Sequence, residues 1–468
     1  MGSERGTIPL GTLCSKVLTG GTPLTKNKEF YENGTIPWLK TKEVNFNFIT
    51  ETENYISELG LDGSSAKLVP KNSVIVAMYG QGDTAGRVAI NKIPLTTNQA
   101  CCNLVVDSAK ADYRFVYYYL KYSYAELVRR KTGSAQPNLN TSILKEFEIV
   151  DFSLKEQIKI GDLLEEFDKK IILNRQINQT LEQMAQTLFK SWFVDFDPVI
   201  DNALDAIANG QDIEVPESLA KRFEVRKAVR ESEGFEPLPA DIRQLFPCEF
   251  EESELSVGIC GFVPKGWAVS TTSEELVVKG GSTPSTKNLE FWENGDIHWT
   301  SPKDLSGNDT KIMLDTARKI TSAGLKKITS GLLPVNTVLM SSRAPVGYLA
   351  LAKVPVAINQ GYIAIPSSKN LTSEYIIQWL DANMDEIKGV AGGTTFAEIS
   401  KSTFKSLDIV IPNSEAVKAF TNIVNVNYER ITDGVKQINA LTKLRDTLLP
   451  KLISGELRLD SPQGEALQ

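Results

Sequence analysis

Histidine is almost missing from this sequence: the 468 residues include one, His298. We take so low a count to exclude histidine-based catalytic triads and metal sites built from several histidines, and we expect His298 to have a loop or surface role. Cysteine is also scarce, with five residues and no C-x-x-C pair at zinc-binding spacing. The adjacent Cys101 and Cys102 stand in a valine-rich run, which predicts packing in a core.

Long apolar runs are absent too. Nothing approaches the roughly 18 consecutive apolar residues of a membrane span, and the opening MGSERGTIPLGT lacks the charged-then-apolar order of a signal peptide. Hydrophobic residues make up 41% and charged residues 23% of the chain, as in ordinary globular proteins. We therefore expect a cytoplasmic protein with roughly two to four domains.

The strings that mark common enzymes are also missing. No G-x-x-x-x-G-K-[ST] occurs, so ATP hydrolysis on this chain is not expected, and GQGDTAG at 80–86 predicts a turn rather than a phosphate loop. The E-x-K within Asp385–Lys388 falls in a helical pattern, which favours a solvated helix face. There is no Asn/Asp-Pro-Pro-Phe/Tyr string of the kind adenine methyltransferases use. We interpret the chain as non-catalytic, with no metal or cofactor of its own.

Charge is distributed unevenly. The segment from Asp195 to Glu254 holds 16 acidic and 6 basic residues, a net charge of −10, so the total of −7 leaves +3 on the rest. A neutral to slightly basic remainder permits contacts with phosphates. For the acidic segment we slightly favour a solvated linker over a docking surface for a basic protein face.

What the chain does contain is a long internal repeat. TKNKEFYENGTIPW at 25–38 matches TKNLEFWENGDIHW at 286–299 in ten of fourteen positions, at an offset of 261 residues. Further pairs follow in the same order at offsets near 260, from GGTP and GGSTP to SILKEFEI and STFKSLDI. So long a period indicates a duplicated domain of about 150 residues rather than a solenoid.

Each copy mixes strand and helix patterns, which predicts an α+β globule. Short apolar runs bounded by glycine and proline predict buried strands, and longer amphipathic runs predict helices. The strands are expected at 72–78, 103–107, 336–342 and 361–366, and the helices at 113–131 and 373–389.

A long helix is predicted after each globule. SLKE at Ser153 has capping-box spacing, and apolar residues then recur at steps of three and four over roughly 38 residues. The first seam comprises Leu163, Phe167, Ile171, Asn174, Ile177, Leu181, Met184 and Leu188. The second comprises Phe420, Val424, Asn427, Ile431, Val435, Ile438, Leu441 and Leu448. We expect the two helices to pair as an antiparallel coiled coil, with Asn174 and Asn427 either fixing the register or lying at its solvated edge.

The globule loops carry side chains suited to nucleic acid. Glycine, hydroxyl and lysine groups suit phosphates, while arginine suits guanine edges and asparagine or glutamine suit adenine edges. In the first copy the candidates are Thr22, Thr25, Lys26, Lys40, Lys42, Gln81, Arg87, Asn98, Gln99, Arg129, Arg130 and Lys131. In the second copy they are Thr283, Thr286, Lys287, Lys303, Ser342, Arg343, Asn359, Gln360, Thr394 and Thr395. The shared Asn-Gln pairs could equally be structural, so we rank the residues that differ between the copies higher.

Several longer strings resemble one protein family. LKEQIKIGDLLEEFDKKIILNRQINQTLEQ, LFKSWFVDFDPV, LFPCEFEESELSVGICGFVPKGW and LLPKLISGEL are similar to the DNA-specificity subunit of type I restriction–modification enzymes. The resemblance covers nearly the whole chain in the right order. One departure is that Glu156–Gln157 has no equivalent at Ala416–Val417, so the second helix is expected to start differently.

The resemblance implies two target-recognition globules that read the halves of a gapped double-stranded DNA target. Two antiparallel coiled-coil helices would separate them around a pseudo-twofold axis and dock two methylation subunits, with two restriction subunits as possible additions. S-adenosylmethionine, ATP and magnesium would belong to those partners. The implied division is 1–152 and 261–412 for the globules, 153–260 and 413–459 for the helical spacers, the first with the acidic linker, and 460–468 for a tail.

Two rival functions remain open at this point. A protein-binding scaffold without DNA binding predicts association that is insensitive to salt, whereas phosphate contacts predict a steep loss of affinity with salt. A fused enzyme that reads and modifies DNA predicts methyl transfer by the purified chain alone.

Overall fold

The computed structural model describes residues 5–80, 82–132, 138–254, 257–343, 345–392 and 397–459. The chain forms two compact units. Unit 1 comprises the residues up to Ile172 together with those from Asn439 onward, and unit 2 comprises Leu173–Ile438. Each long helix contributes to both units, so these boundaries cut across the division into globules and spacers expected from the sequence.

The described residues of unit 1 form ten short strands and four helices before its long helix. The strands are β1 Thr7–Pro9, β2 Cys14–Thr19, β3 Ile36–Leu39, β4 Phe48–Ile49, β5 Tyr55–Ile56, β6 Val74–Ala77, β7 Val88–Asn91, β8 Thr96–Thr97, β9 Cys101–Val106 and β10 Glu148–Val150. The helices are α1 Glu58–Asp62, α2 Tyr113–Tyr122, α3 Tyr124–Arg129, α4 Thr141–Lys145 and then α5 Leu154–Phe189.

Unit 2 adds a group of helices after α5 and then repeats the pattern of unit 1. Its helices are α6 Asp197–Ala208, α7 Ala220–Arg230, α8 Ala240–Arg243, α9 Thr272–Glu275, α10 Ser322–Leu325, α11 Ser373–Ala382, α12 Met384–Gly389, α13 Lys401–Lys405 and α14 Ser414–Ile453. Its strands are β11 Phe250–Glu252, β12 Phe262–Pro264, β13 Ala268–Thr271, β14 Leu276–Lys279, β15 Ile297–Thr300, β16 Ile312–Met313, β17 Arg318–Ile320, β18 Val338–Ser341, β19 Leu349–Ala352, β20 Ala357–Ile358, β21 Tyr362–Ser368 and β22 Asp408–Ile411.

The two globules have the same sheet topology. Unit 1 has a five-stranded sheet in the order β2-β9-β6-β7-β4, a three-stranded sheet β5-β3-β8 and the pair β1-β10. Unit 2 has β14-β21-β18-β19-β16, β17-β15-β20 and β13-β22 in the same places. Even the parallel pairs correspond, β4 with β7 and β16 with β19. The predicted domain duplication and mixed α/β class are therefore confirmed.

The core of each globule lies between its five-stranded sheet and the helix that follows it. In unit 1, Val74, Val76 and Leu104 of the sheet pack against Phe115 and Leu120 of α2. Five buried side chains from the long helices complete this core: Ile160, Leu164, Leu449, Leu452 and Ile453. Burial of these helix residues holds part of α5 and part of α14 on the globule through the hydrophobic effect.

The helices predicted at 113–131 and 373–389 are each broken in two. The first breaks at Ser123 and the second at Asn383, where ψ turns to 12° and 14°. The Asn383 amide donates to the carbonyl oxygen of Trp379 at 2.7 Å. A short polar side chain that bonds the backbone in this way competes with the regular helical bonds, which explains the break at Asn383. Continuous helices over 113–131 and 373–389 were therefore the wrong prediction.

The start of α5 confirms the predicted capping box. The Ser153 backbone nitrogen donates to Glu156 Oε2 at 3.1 Å, and the Glu156 nitrogen donates to Ser153 Oγ at 3.4 Å. Arg5 also bonds Glu156, at 2.7 Å, and these hydrogen bonds lower the pKa of that carboxyl to about 2. In contrast, α14 is capped by Asn413, whose Oδ1 accepts from the Ala416 nitrogen at 2.8 Å. The two helices therefore do start differently.

Within each unit, the segments of α5 and α14 run antiparallel. In unit 1, Asp168 contacts Arg445. In unit 2, the Asn174 amide donates to Gln437 at 3.3 Å, and Asn178 lies against Gly434, nearer the start of α14.

The predicted seam of α5 is partly wrong. Ile177 and Met184 are 45% and 56% exposed, whereas Asn178 and Ala185 are buried at 1% each. The buried positions 164, 171, 178 and 185 repeat every seven residues; Ile171 belongs to the predicted seam, whereas the other three each lie one position after a predicted member. The prediction followed large apolar side chains. It therefore selected Ile177 and Met184 and missed the buried Asn178 and Ala185 beside them.

The segment Asp195–Glu254 is folded into unit 2 rather than being a solvated linker. α6 and α7 pack through Ile200, Ala203, Leu219 and Phe223. Acidic side chains spaced along α6 pair with arginines, which neutralises part of the segment's negative charge. The acidic members are Asp195, Asp197, Asp201 and Asp205, and the basic ones are Arg222, Arg226, Arg230 and Arg243. The sequence signal was the i, i+4, i+8 spacing of Asp197, Asp201 and Asp205 and of Arg222, Arg226 and Arg230.

Candidate nucleic-acid interface

The loop that follows β2 in unit 1 and β14 in unit 2 carries the shared glycines. A β-carbon on Gly20 would lie 2.1 Å from the carbonyl oxygen of Asn98, and one on Gly281 would lie 1.8 Å from that of Ile358. The glycines therefore allow the loop to pack against its own globule. That they also allow a phosphate to approach the backbone closely stays a prediction.

The threonines of this loop contact the glutamines of the shared Asn-Gln pairs. Thr22 Oγ1 donates to Gln99 Oε1 in unit 1, and Thr283 Oγ1 donates to Gln360 Oε1 at 2.7 Å in unit 2. All four residues are exposed. Because the same bond occurs in both units, it is a feature of the shared frame, although the glutamine amide nitrogens still provide donors.

The asparagines of the same pairs hold turns. Asn359 Oδ1 accepts from the Gly361 nitrogen at 2.9 Å, and Asn98 Oδ1 accepts from Cys101 Sγ at 3.4 Å. Both asparagines are half-buried. These contacts support the structural alternative that the sequence left open for Asn98 and Asn359.

The other threonine and lysine candidates differ in whether their side chains contact neighbouring residues. Thr25, Lys26, Thr286 and Lys287 are exposed. Lys40 donates to Asn54 at 3.1 Å and lies 5.1 Å from the centroid of the Trp38 ring. Lys42 forms an ion pair with Glu53, with both side chains more than half exposed. Such an exposed pair is worth little and can exchange for a phosphate.

A concave surface of about 580 Å³ in unit 1 brings Arg87 and Arg129 together. Arg87 Nη1 donates to Asn45 Oδ1 at 2.9 Å, and its Nε donates to the carbonyl oxygen of Asp83 at 3.0 Å. The hydroxyl of Tyr124 donates to the same carbonyl at 2.7 Å. Two arginines beside an aromatic ring form a basic concave site that an anion can occupy.

A second concave surface, of about 370 Å³ in unit 2, brings Lys303, Arg343 and Asn359 together with Tyr348. Arg343 is 40% exposed, and its Nη1 lies 3.9 Å from Glu398 Oε1. Three candidates that are far apart in sequence thus line one site. Tyr348 and, in unit 1, Tyr124 were missed, because an isolated tyrosine gives no signal until the fold shows its neighbours.

The remaining candidates are not gathered at these surfaces. Ser342 is 4% exposed and its backbone donates to Gly361, so its role in the structure is to hold the sheet. Arg130 pairs with Glu126 and lies 4.7 Å from the Phe147 ring centroid, and Lys131 follows it half-buried. Gln81, Thr394 and Thr395 lie outside the described residues.

Three features bear on catalytic and metal-binding chemistry: the single histidine, the E-x-K string and the grouping of possible metal ligands. His298 lies in strand β15 rather than a loop, half-buried, with Nδ1 3.1 Å from Asp315 Oδ1. Glu386 and Lys388 are exposed on α12, as expected for the E-x-K. Among the described residues, no group of three or more His, Cys, Asp or Glu side chains could hold a metal ion.

The buried cysteines behave as core residues. Cys101 and Cys102 are fully buried in β9, and burial raises the pKa of the Cys102 thiol to about 12. A thiol so disposed is a poor nucleophile, which agrees with the packing role predicted from the sequence. In the described stretches of the chain we find no helix long and apolar enough to cross a membrane.

Comparison with known proteins places these observations in one family. A family model described as the type I restriction modification DNA specificity domain matches residues 4–183 and again residues 264–445. The chain is 28% identical over 455 residues to the type I restriction enzyme MjaIX specificity subunit of Methanocaldococcus jannaschii, covering 95% of this chain and 92% of that protein. It is 29% identical over 344 residues to the HindI specificity subunit of Haemophilus influenzae, covering 71% and 74%.

A solved structure shares the fold. The crystal structure of the type I restriction–modification system S subunit from M. genitalium superposes with a TM-score of 0.55 and covers 96% of both chains at 16% identity. The fold described above is therefore shared with a solved protein over nearly the whole length of both chains.

Proposed function

Because this chain belongs to the type I restriction–modification DNA specificity family, it serves in DNA sequence recognition, and we propose that each unit reads one half of a bipartite target. One observation carries the proposal. The two units share their sheet topology, yet a concave basic surface lies at a different place on each, beside α3 in unit 1 and beside residues 301–306 in unit 2. A common frame with different contacts is what reading two unlike half-sites requires.

We further propose that the chain acts within an assembly. It would dock two methylation subunits along its long helices, and restriction subunits would join that core. Methyl transfer from S-adenosylmethionine, and ATP- and magnesium-dependent translocation and cleavage, are assigned to those partners. The assignment is supported by the family membership and by the absence of the corresponding motifs from the sequence.

The experiment is selection of bound duplexes from a randomised library. The full-length chain copurified with its methylation subunits should enrich two short motifs with an unread gap of several base pairs between them. Binding to the enriched duplex should weaken steeply as salt rises, since each phosphate contact releases counterions. A single continuous motif would contradict the two-unit mechanism. Salt-insensitive association with protein, and none with DNA, would favour the scaffold alternative.

A further inference from the structure

The hairpin that joins β6 to β7 in unit 1 corresponds to the hairpin that joins β18 to β19 in unit 2. Ala77 N donates to the carbonyl oxygen of Arg87 at 2.9 Å, and Ser341 N donates to that of Tyr348 at 2.8 Å. Ala77 and Ser341 are the last residues of β6 and β18, and each forms the corresponding backbone bond to the facing strand. Arg87 and Tyr348 therefore occupy equivalent positions.

A second set of backbone bonds fixes the other side of the hairpin. Met78 N donates to the carbonyl oxygen of Ala100, and Ser342 N donates to that of Gly361, each at 2.8 Å. Met78 and Ser342 are therefore equivalent, and the residues that follow them, Tyr79 and Arg343, are equivalent as well.

The two hairpins thus carry the same residue types in exchanged places. Unit 1 has tyrosine at the first position and arginine at the second, with Tyr79 and Arg87, whereas unit 2 has Arg343 first and Tyr348 second. The turn is three residues shorter in unit 2, so the constant offset of the opening repeat conceals this exchange. Only the hydrogen-bond register reveals it.

The surroundings of the two arginines are also comparable. In unit 2, Arg343 and Tyr348 line one concave surface with Lys303 and Asn359. In unit 1, Arg87 donates a hydrogen bond to Asn45. Asn45 is equivalent, at the repeat offset of 261, to Ser306, which lines the unit 2 surface. The exchange therefore lies within a frame that is otherwise shared.

Neither arginine forms a close ion pair with a carboxylate, and Arg87 is also held by hydrogen bonds. Arg87 is bonded by the neutral Asn45 amide and a backbone carbonyl, and the Nη1 of Arg343 is 3.9 Å from Glu398, beyond hydrogen-bonding distance. A planar guanidinium in this state can form the two parallel bonds that guanine O6 and N7 accept.

We propose that Arg87 and Arg343 are the residues that read guanine in the first and second half-sites, and that their exchanged positions move the recognised guanine to different places in the two halves. This inference rests on the proposed function, because it names the residues through which the two units differ. Lysine and threonine groups of the shared loops would then supply phosphate contacts that are common to both halves.

The test is the same library selection with Arg343→Ala and Arg87→Ala in the full-length chain copurified with its methylation subunits. Arg343→Ala should abolish the preference for guanine at one position of the second half-site, by about 5-fold to 150-fold, and leave the first half-site unchanged. Arg87→Ala should do the reverse. Replacing that guanine by 7-deazaguanine, which lacks the N7 acceptor, should weaken the wild-type complex but not the variant.

Each variant is a control for the other, and Lys353→Ala is a matched control within unit 2. Lys353 lies at the far end of the same hairpin, where its Nζ donates to Asn336 at 2.8 Å, so its loss should leave both half-sites unchanged. An unchanged motif in Arg343→Ala would overturn the inference. So would a uniform loss of affinity for all sequences, which marks a phosphate contact. Failure of the wild-type chain to select any bipartite motif would instead overturn the proposed function.

Discussion

The carboxylate of Asp168 lies in unit 1 between a tyrosine and an arginine from two different helices. Tyr118 of α2 donates its hydroxyl to Asp168 Oδ2 at 2.7 Å, and Arg445 of α14 pairs with Oδ1. The side chains of Asp168 and Arg445 are 10% and 13% exposed. A pair so far removed from water contributes little net stability, but removing one member leaves an uncompensated charge.

We therefore expect Asp168→Ala to lower the free energy of unfolding by about 3 kcal/mol, the low end of the range for breaking a buried pair, since Arg445 keeps a bond to Asp446. Glu166→Ala is the control, because Glu166 on the same helix is 58% exposed and pairs with Lys169 at 3.5 Å. That variant should lose less than about 1 kcal/mol. Urea denaturation measures both, and equal losses would show that Asp168 is not desolvated in solution.

At the scale of elements, α5 and α14 approach closely in unit 2 where Asn178 faces Gly434. A β-carbon on Gly434 would lie 2.3 Å from Asn178 Oδ1. Asn178 is 1% exposed and, within the described residues, its amide oxygen and nitrogen make no hydrogen bond to protein. The glycine thus permits the close approach, and the buried amide occupies the space that it leaves.

Gly434→Ala should destabilise unit 2 by about 1–3 kcal/mol through overpacking, although alanine is the better helix former by about 1 kcal/mol. Adding Asn178→Ala should remove the clash and the buried amide together, and restore most of the loss. Gly389→Ala at the end of α12, where nothing lies within 4 Å of an added β-carbon, is the control and should be neutral or stabilising by up to about 1 kcal/mol. Thermal unfolding of the wild-type chain and the three variants measures this. A double variant no more stable than Gly434→Ala would show that Asn178 is not the obstacle.

At the scale of the whole molecule, α5 and α14 are the elements shared by both units. α5 has 36 residues and contributes to unit 1 up to Ile172 and to unit 2 from Leu173. At ~1.5 Å per residue it is about 54 Å long. A helix that continues from one unit into the next is the natural candidate for what fixes the gap between the half-sites.

Four residues inserted after Ile172 should lengthen the gap in the selected motif or abolish binding, because they add about 6 Å to the helix. An insertion of the same length at 233–234, in the exposed stretch between α7 and α8, is the control and should leave the gap unchanged. Library selection with both variants gives the gap directly. If the α5 insertion leaves the gap unchanged, the helix is not what sets it.

Much of the domain organisation could be predicted from the residues alone. The repeat at an offset of 261 predicted two like globules, and the Ser153–Glu156 spacing located the start of α5, because capping and alternation are local effects that depend on neighbours in sequence. The burial of Asn178 could not be predicted, since it depends on the distant Gly434 and an amide side chain does not count as apolar. The break at Asn383 depends on a local bond to Trp379, but the same residue type also occurs inside regular helices.

The sequence by itself determined the duplication, the mixed α/β class and the family, because these depend on patterns that survive in the order of the residues. The tertiary structure decided which groups share a site. Four acids of the segment Asp195–Glu254 became internal partners of arginines once α6 and α7 packed together. The hydrogen bonds of the sheet fixed Tyr79 and Arg343 as equivalent. The hairpin turn differs by three residues between the units, and the backbone hydrogen bonds on both sides of it fix which residues correspond.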